Sequence, residues 1–200
     1  MHLLAKLDLA VTALETSEVS LEASRLAARV LESVVHHGWN TFDALQDVFQ
    51  RSADENEKRH ISIALRLAEE GKASQKVLNV LASGKHGTAP MWAVKAELGL
   101  SCHLPGSIRV ALGIAAAFGA HYEGAIKANI LVGGDSCARA IIIGALCAAS
   151  NHSKTTSSSS GVSTNVGWAL PPSYRSKVHF QDRSEQLIAK NDALFDKHNV

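Results

Sequence analysis

The chain has 200 residues, 46% of them apolar, and 20 basic side chains stand against 19 acidic ones for a net charge of +1. That is enough apolar material for one folded core, and the balanced, well-mixed charge excludes a field that would draw in nucleic acid or an acidic membrane. The longest apolar run, Ala140 to Ala149, falls short of the roughly 20 residues that cross a bilayer, and Met1 to Lys6 lacks a basic region ahead of a sustained apolar core, so neither a membrane span nor a secretory signal is expected.

Apolar residues recur at helical spacing nearly everywhere, and no alternating strand pattern occurs. Ser17 is placed to cap a helix carrying Val19, Ala23, Leu26, Ala27, Val30, Leu31, Val34 and Val35, and Gly38 ends it. Thr41 is the expected cap of a second helix with Phe42, Leu45, Val48 and Phe49. Ser52-Ala53-Asp54-Glu55 is a capping-box pattern opening a third, whose buried stripe is Ile61, Ala64, Leu65 and Ala68 and whose end is Gly71. Further helices are expected near Ser74 to Leu81, Pro90 to Leu98, Pro105 to Phe118, His121 to Leu131, Asp135 to Ser150 and Ser184 to Phe195. The helix from Asp135 is apolar on every side, and with Gly144 and several alanines it reads as the central helix of the core. Residues 151–165 are polar and low in complexity, including Thr155-Thr156-Ser157-Ser158-Ser159-Ser160, and read as a mobile loop. The fold class is therefore all-α, a compact multihelical bundle in which residues 1–200 form a single domain.

The stretch Gly133-Gly134-Asp135-Ser136-Cys137-Ala138-Arg139 carries the most chemistry. The glycines let the backbone turn, and Asp135 then sits at a helix start beside unpaired amide donors. Two readings of Asp135 stand, an N-cap or a metal-binding carboxylate. Arg139, one turn into the helix, either snorkels to the surface or forms a buried pair with a carboxylate.

Gly-Gly-Asp ahead of a small, apolar, glycine-containing helix resembles the C-terminal signature of the ADP-ribosylglycohydrolase family, usually Gly-Gly-Asp-Thr-Asp-Thr. The segment Ser101 to Leu112 with Leu104-Pro105-Gly106-Ser107-Ile108, the helix His121 to Leu131, and Gly167-Trp168-Ala169-Leu170-Pro171-Pro172-Ser173-Tyr174 are similar to the signature's surroundings in that family. Asp-Ser-Cys-Ala-Arg together with Leu-Pro-Gly is most similar to the subgroup that includes the J-type lens crystallins. The resemblance covers Ser101 to Val178 and is weaker over Val19 to Leu100.

The resemblance implies hydrolysis of the bond between ADP-ribose and an acceptor at a pair of magnesium ions, and an ADP-ribose-type ligand. Carried over by position, Asp135 is the surviving metal ligand, Ser136 stands for the first Thr as a weak hydroxyl donor, Cys137 replaces the second Asp and Ala138 the last Thr. Gly133 and Gly134 are the ligand-binding candidates. Magnesium takes about six hard oxygens, which a thiol and a methyl group do not supply. The early acidic motif of the family is not found, and the chain is expected to correspond to the C-terminal part of that domain. Helices that would pack on the remainder, including parts of Val19 to Val35 and Pro105 to Phe118, are expected to expose apolar stripes covered by a second copy or a partner chain.

The ten histidines show no zinc spacing, and His36-His37, His86 and His103 are loop or helix-end positions. Cys102 beside His103 is no nucleophile–base pair, since adjacent side chains diverge. Three cysteines, an odd number without metal spacing, imply a reducing compartment, and the expected location is cytoplasmic. The expected role is a non-catalytic, degenerate or truncated member of the family. The alternative is a magnesium-dependent hydrolase that removes ADP-ribose once the early motif is supplied.

Overall fold

The computed structural model describes residues 3–14, 17–82, 103–156 and 186. Among them are seven helices and no strand: α1 (Leu3–Thr12), α2 (Glu18–His37), α3 (Thr41–Arg51), α4 (Glu55–Ala82), α5 (Gly106–Phe118), α6 (Tyr122–Val132) and α7 (Ser136–Thr156). All belong to a unit spanning Met1–Ala169, and of a second unit, Leu170–Val200, Gln186 alone is described. The expected helix near Pro90 to Leu98 and the segment Gly167 to Tyr174 lie outside the described residues, as does the helix near Ser184 to Phe195 apart from Gln186. No described helix is long and apolar enough to cross a membrane.

The centre of the bundle is α5, which corrects the expectation for α7. From Ser107 to Phe118 every residue of α5 except Arg109 is buried. α4 packs along it most extensively, and α7, α6 and α3 cover its other sides. On α7, Ile143, Leu146 and Cys147 face inward while Ile141 is 76% exposed, so its all-round apolar sequence is only half used. Nor does α5 present the exposed stripe anticipated for Pro105 to Phe118. On α2 the stripe Ala23, Leu26, Val30 and Val34 is buried as read, but Val19 and Val35 at its ends are exposed.

The glycine that lets helices approach is Gly113, not Gly144. A Cβ on Gly113 would lie 2.8 Å from Leu67 Cβ and 3.2 Å from the Ala64 carbonyl oxygen, both fixed to the α4 backbone. At Gly144 the nearest atoms are 3.5 Å and 3.7 Å away on the Tyr122 ring, an ordinary contact. The buried side of α4 runs Glu57, His60, Ile61, Ala64, Leu67, Ala68 and Gly71, a three- and four-residue rhythm. Gly71 therefore continues the packed face and does not end the helix, and the two helices anticipated around it are one. A mid-helix glycine costs about 1 kcal/mol, which the packing of a long helix outweighs. Gly38 and Gly119, by contrast, take φ of 67° and 55° and do end helices.

Caps shift by a residue or two from their expected places. The α3 cap is Asn40, whose side-chain oxygen accepts from the Asp43 amide at 3.0 Å, while Thr41 is buried and 3.5 Å from the Ser150 hydroxyl on α7. At α4, Asp54 Oδ1 accepts from the amides of Asn56 at 2.8 Å and Glu57 at 3.4 Å, so Asp54 and not Ser52 caps the helix. His121 caps α6 through Nδ1, which accepts from the Gly124 amide at 2.9 Å. α7 runs to Thr156, so the first residues of the expected mobile loop are helical; residues 157–165 lie outside the described set. α1 was not anticipated. It is tied to α2 by Arg25, whose Nε and Nη2 each donate to an Asp8 carboxylate oxygen at 2.8 Å. Those hydrogen bonds, and then the guanidinium charge, hold the Asp8 carboxyl below its ordinary range.

Between α4 and α5, Arg109 Nε donates to His60 Nδ1 at 2.7 Å. Burial first, and then the charges of Arg109 and Arg59, push the His60 pKa below its ordinary 6.5.

Two predictions follow from this packing. Gly113→Ala is expected to destabilise the protein by about 1–3 kcal/mol because its methyl group meets α4 backbone, whereas Gly144→Ala is expected to be neutral or to stabilise by up to about 1 kcal/mol. Urea midpoints compare them directly, and equal effects would remove Gly113 as the point of closest approach. For His60, the unfolded chain takes up its proton at higher pH than the native one. Its contribution is thus complete above about pH 6.5 and is lost as pH falls through the lowered native value. Midpoints followed from neutral pH to about pH 5 should fall, and His60→Gln should flatten that limb; an unchanged limb in the variant would exclude His60 as its source.

Candidate functional site

The turn between α6 and α7 contains all four residues singled out as site candidates. Gly133 closes α6, its amide donating to Ile130 O at 3.0 Å, with φ 78° and ψ −166°, a region open essentially to glycine alone. Gly134 follows at φ 66°, and the Ser136 amide donates back to Gly134 O at 2.9 Å. A Cβ on Gly133 would meet nothing within 4 Å, so conformation and not space demands the glycine there.

Asp135 then stands before the first turn of α7, and its Oδ1 accepts from the Ala138 amide at 3.3 Å. The N-cap reading of Asp135 is therefore realised in the geometry. Asp135 and Ser136 are half-buried, while Cys137 and Ala138 face solvent.

Beneath the turn lies a polar clamp. Asn129 on α6 is completely buried; its Nδ2 donates to Ser136 O at 2.7 Å and its Oδ1 accepts from Arg139 Nε at 2.9 Å. Arg139 is 1% exposed, and its Nη2 donates to the Gly133 carbonyl. One guanidinium thus ties the residue that closes α6 to the first turn of α7. It does not snorkel, and among the described residues it pairs directly with no carboxylate, the two arrangements its sequence position left open. Placed near the positive end of α7, it is compensated by the carbonyl end of α6. Burial pulls the Arg139 pKa down and the Asp135 charge pulls it back up. Nη1 is buried and has no hydrogen-bond partner among the described residues. Sequence reasoning marked Arg139 but missed Asn129, whose only signal was an amide in an otherwise apolar stretch, Ala128 to Val132.

The side chains of the turn itself offer magnesium few hard oxygens. Asp135 supplies one carboxylate already engaged on an amide, Ser136 a hydroxyl, Cys137 a thiol and Ala138 nothing, where near-octahedral coordination by hard oxygens is required. No group of three His, Cys, Asp or Glu side chains able to hold a metal ion occurs among the described residues. Elsewhere, the Cys147 thiol on α7 is buried and its pKa is pushed up to about 12, which makes it inert as a nucleophile. Cys102 and His86 lie outside the described residues.

The family described as ADP-ribosylglycohydrolase matches the chain over residues 4–199. No curated protein and no solved structure matches it.

Arg139→Met removes donors from Asn129 and from the Gly133 carbonyl and is expected to cost about 2–4 kcal/mol. Asp135→Ala loses one cap hydrogen bond and is expected to cost only about 1 kcal/mol. A double-mutant cycle of Arg139→Met with Asn129→Leu should show coupling above about 1 kcal/mol. Additive costs would mean that the two side chains do not act as a clamp.

Proposed function

The chain belongs to the ADP-ribosylglycohydrolase family, and from that membership we propose that it is a non-catalytic member which keeps the fold and the Gly-Gly-Asp turn without a working magnesium pair. The observation carrying this reading is the run after Asp135. A thiol and a methyl group occupy the positions where the family resemblance calls for an acid and a hydroxyl, and both face solvent on the first turn of α7. The carboxylate that remains caps the helix above a buried guanidinium. An isolated carboxylate in that position holds a helix end well and a magnesium ion poorly.

Within the family we place the chain nearest the J-type lens crystallin-like subgroup, on Asp135-Ser136-Cys137-Ala138-Arg139 and Leu104-Pro105-Gly106. Its role is then that of a structural or binding protein, with a ligand of the ADP-ribose type at the glycine turn and a cytoplasmic setting. The competing reading is a magnesium-dependent hydrolase, in which Asp135 and Ser136 would contribute to the metal site and further acids would come from elsewhere.

The test separates the two readings. The full chain is expected to release no ADP-ribose from an ADP-ribosylated acceptor above a buffer blank at millimolar magnesium, with Asp135→Ala indistinguishable from it. Calorimetry with magnesium alone is expected to show no saturable heat. Turnover that Asp135→Ala abolishes, or a stoichiometric magnesium isotherm, would establish the hydrolase instead.

A further inference from the structure

Away from the α6–α7 turn, a cavity of about 270 Å³ opens between α2, the start of α4 and the start of α5. One part of its wall is apolar, formed by Ala23, Leu26 and Ile108; the rest carries charge of both signs. The acids are committed. Both Glu57 oxygens accept from Arg29 Nη1, at 2.9 Å and 2.7 Å, and one also accepts from the Ser52 hydroxyl at 2.5 Å. Asp54 caps α4 through Oδ1, and Glu22 Oε2 accepts from Asn56 Nδ2 at 3.2 Å. Arg25 is taken by Asp8.

Arg109 differs from all of these. Its hydrogen bond among the described residues runs from Nε to His60 Nδ1 at 2.7 Å, and no carboxylate pairs with it there. The charge that acts on it most is the like charge of Arg59. Its terminal nitrogens make no hydrogen bond among the described residues, and Arg109 lines the cavity. Because His60 Nδ1 accepts, the neutral imidazole carries its proton on Nε2, a second donor on the same wall.

We infer that this cavity is a binding site for a singly charged organic carboxylate, gripped by the terminal nitrogens of Arg109 and covered along its carbon body by Ala23, Leu26 and Ile108. A guanidinium edge matches a carboxylate in two parallel hydrogen bonds. Arg109 is the one cation of the wall that no carboxylate pairs with among the described residues, and it attracts a single negative charge against the repulsion of Glu22 and Asp54, whose hydrogen-bond partners are neutral. A second negative charge, as in a phosphate dianion, meets the carboxylates of Glu22, Asp54 and Glu57 without a further cation to offset it. The apolar wall selects against the smallest anions, since acetate leaves it uncovered.

The experiment is a calorimetric titration of the full chain with benzoate, with acetate and inorganic phosphate run at equal ionic strength. Benzoate is expected to give a saturable isotherm, with acetate and phosphate each at least about tenfold weaker. Arg109→Gln is expected to weaken benzoate by about tenfold or more. Glu22→Gln, which can keep the contact to Asn56, is expected to tighten it a few-fold by removing a like charge. The gain in Glu22→Gln decides the matter if Arg109→Gln fails to fold. Absence of a saturable benzoate isotherm, benzoate binding indifferent to both substitutions, or phosphate binding as tightly as benzoate would each overturn the assignment.

Discussion

Everything else in the bundle is arranged around the approach of α5 to α4 at Gly113. With Leu67 Cβ and the Ala64 carbonyl where a Gly113 side chain would stand, the two helices meet backbone to backbone. α5 is suited to this because Ala111, Ala115, Ala116 and Ala117 keep its surface low while Val110, Leu112 and Ile114 fill the gaps. Each of the larger side chains contributes roughly 1.5–3 kcal/mol when fully removed from water. A helix so apolar on all sides is stable only when covered on all sides, and that requirement places α3, α6 and α7 around it.

The same requirement explains why a charge is tolerated beneath the α6–α7 turn. Two helices that both serve α5 must be joined by a very short connection, and the positive φ of Gly133 and Gly134 makes that connection possible. The reversal leaves carbonyls of the turn partly buried beside Asn129 and Arg139, where an unmet acceptor costs about 1–3 kcal/mol. Asn129 and Arg139 meet the carbonyls of Ser136 and Gly133. A guanidinium reaches both the amide and the carbonyl because its donors lie in one rigid plane. A lysine at position 139, with its single nitrogen, does not reproduce both contacts, and an apolar residue would leave both unserved.

Much of this was legible in the sequence, and the limits have physical causes. α2, α3, α5 and α6 follow from three- and four-residue apolar spacing and from glycine or polar caps, since both signals act locally. Gly71 misled because a glycine that stops a helix and one that lets a helix pack closely look alike in one dimension; only positive φ distinguishes them, and Gly71 lacks it. α7 looked central because composition reports what a helix could bury, whereas its neighbours determine what it does bury. The turn itself was found by its glycines and acid. Its clamp was not, because Asn129 acquires its role only when α6 is folded back against α7.

Burial separates the chemistry of the turn from its architecture. Cys137 and Ala138, on the first turn of α7, are solvent-facing. Asn129, Arg139 and the positive-φ glycines are the parts that hold α6 against α7. Substitution at the first group changes what the turn can coordinate with little effect on stability, whereas substitution at the second acts on the fold. A helical domain built this way can vary the side chains on the first turn of α7 and still present the same Gly-Gly-Asp turn, because the turn is held from inside by the hydrogen bonds of Asn129 and Arg139.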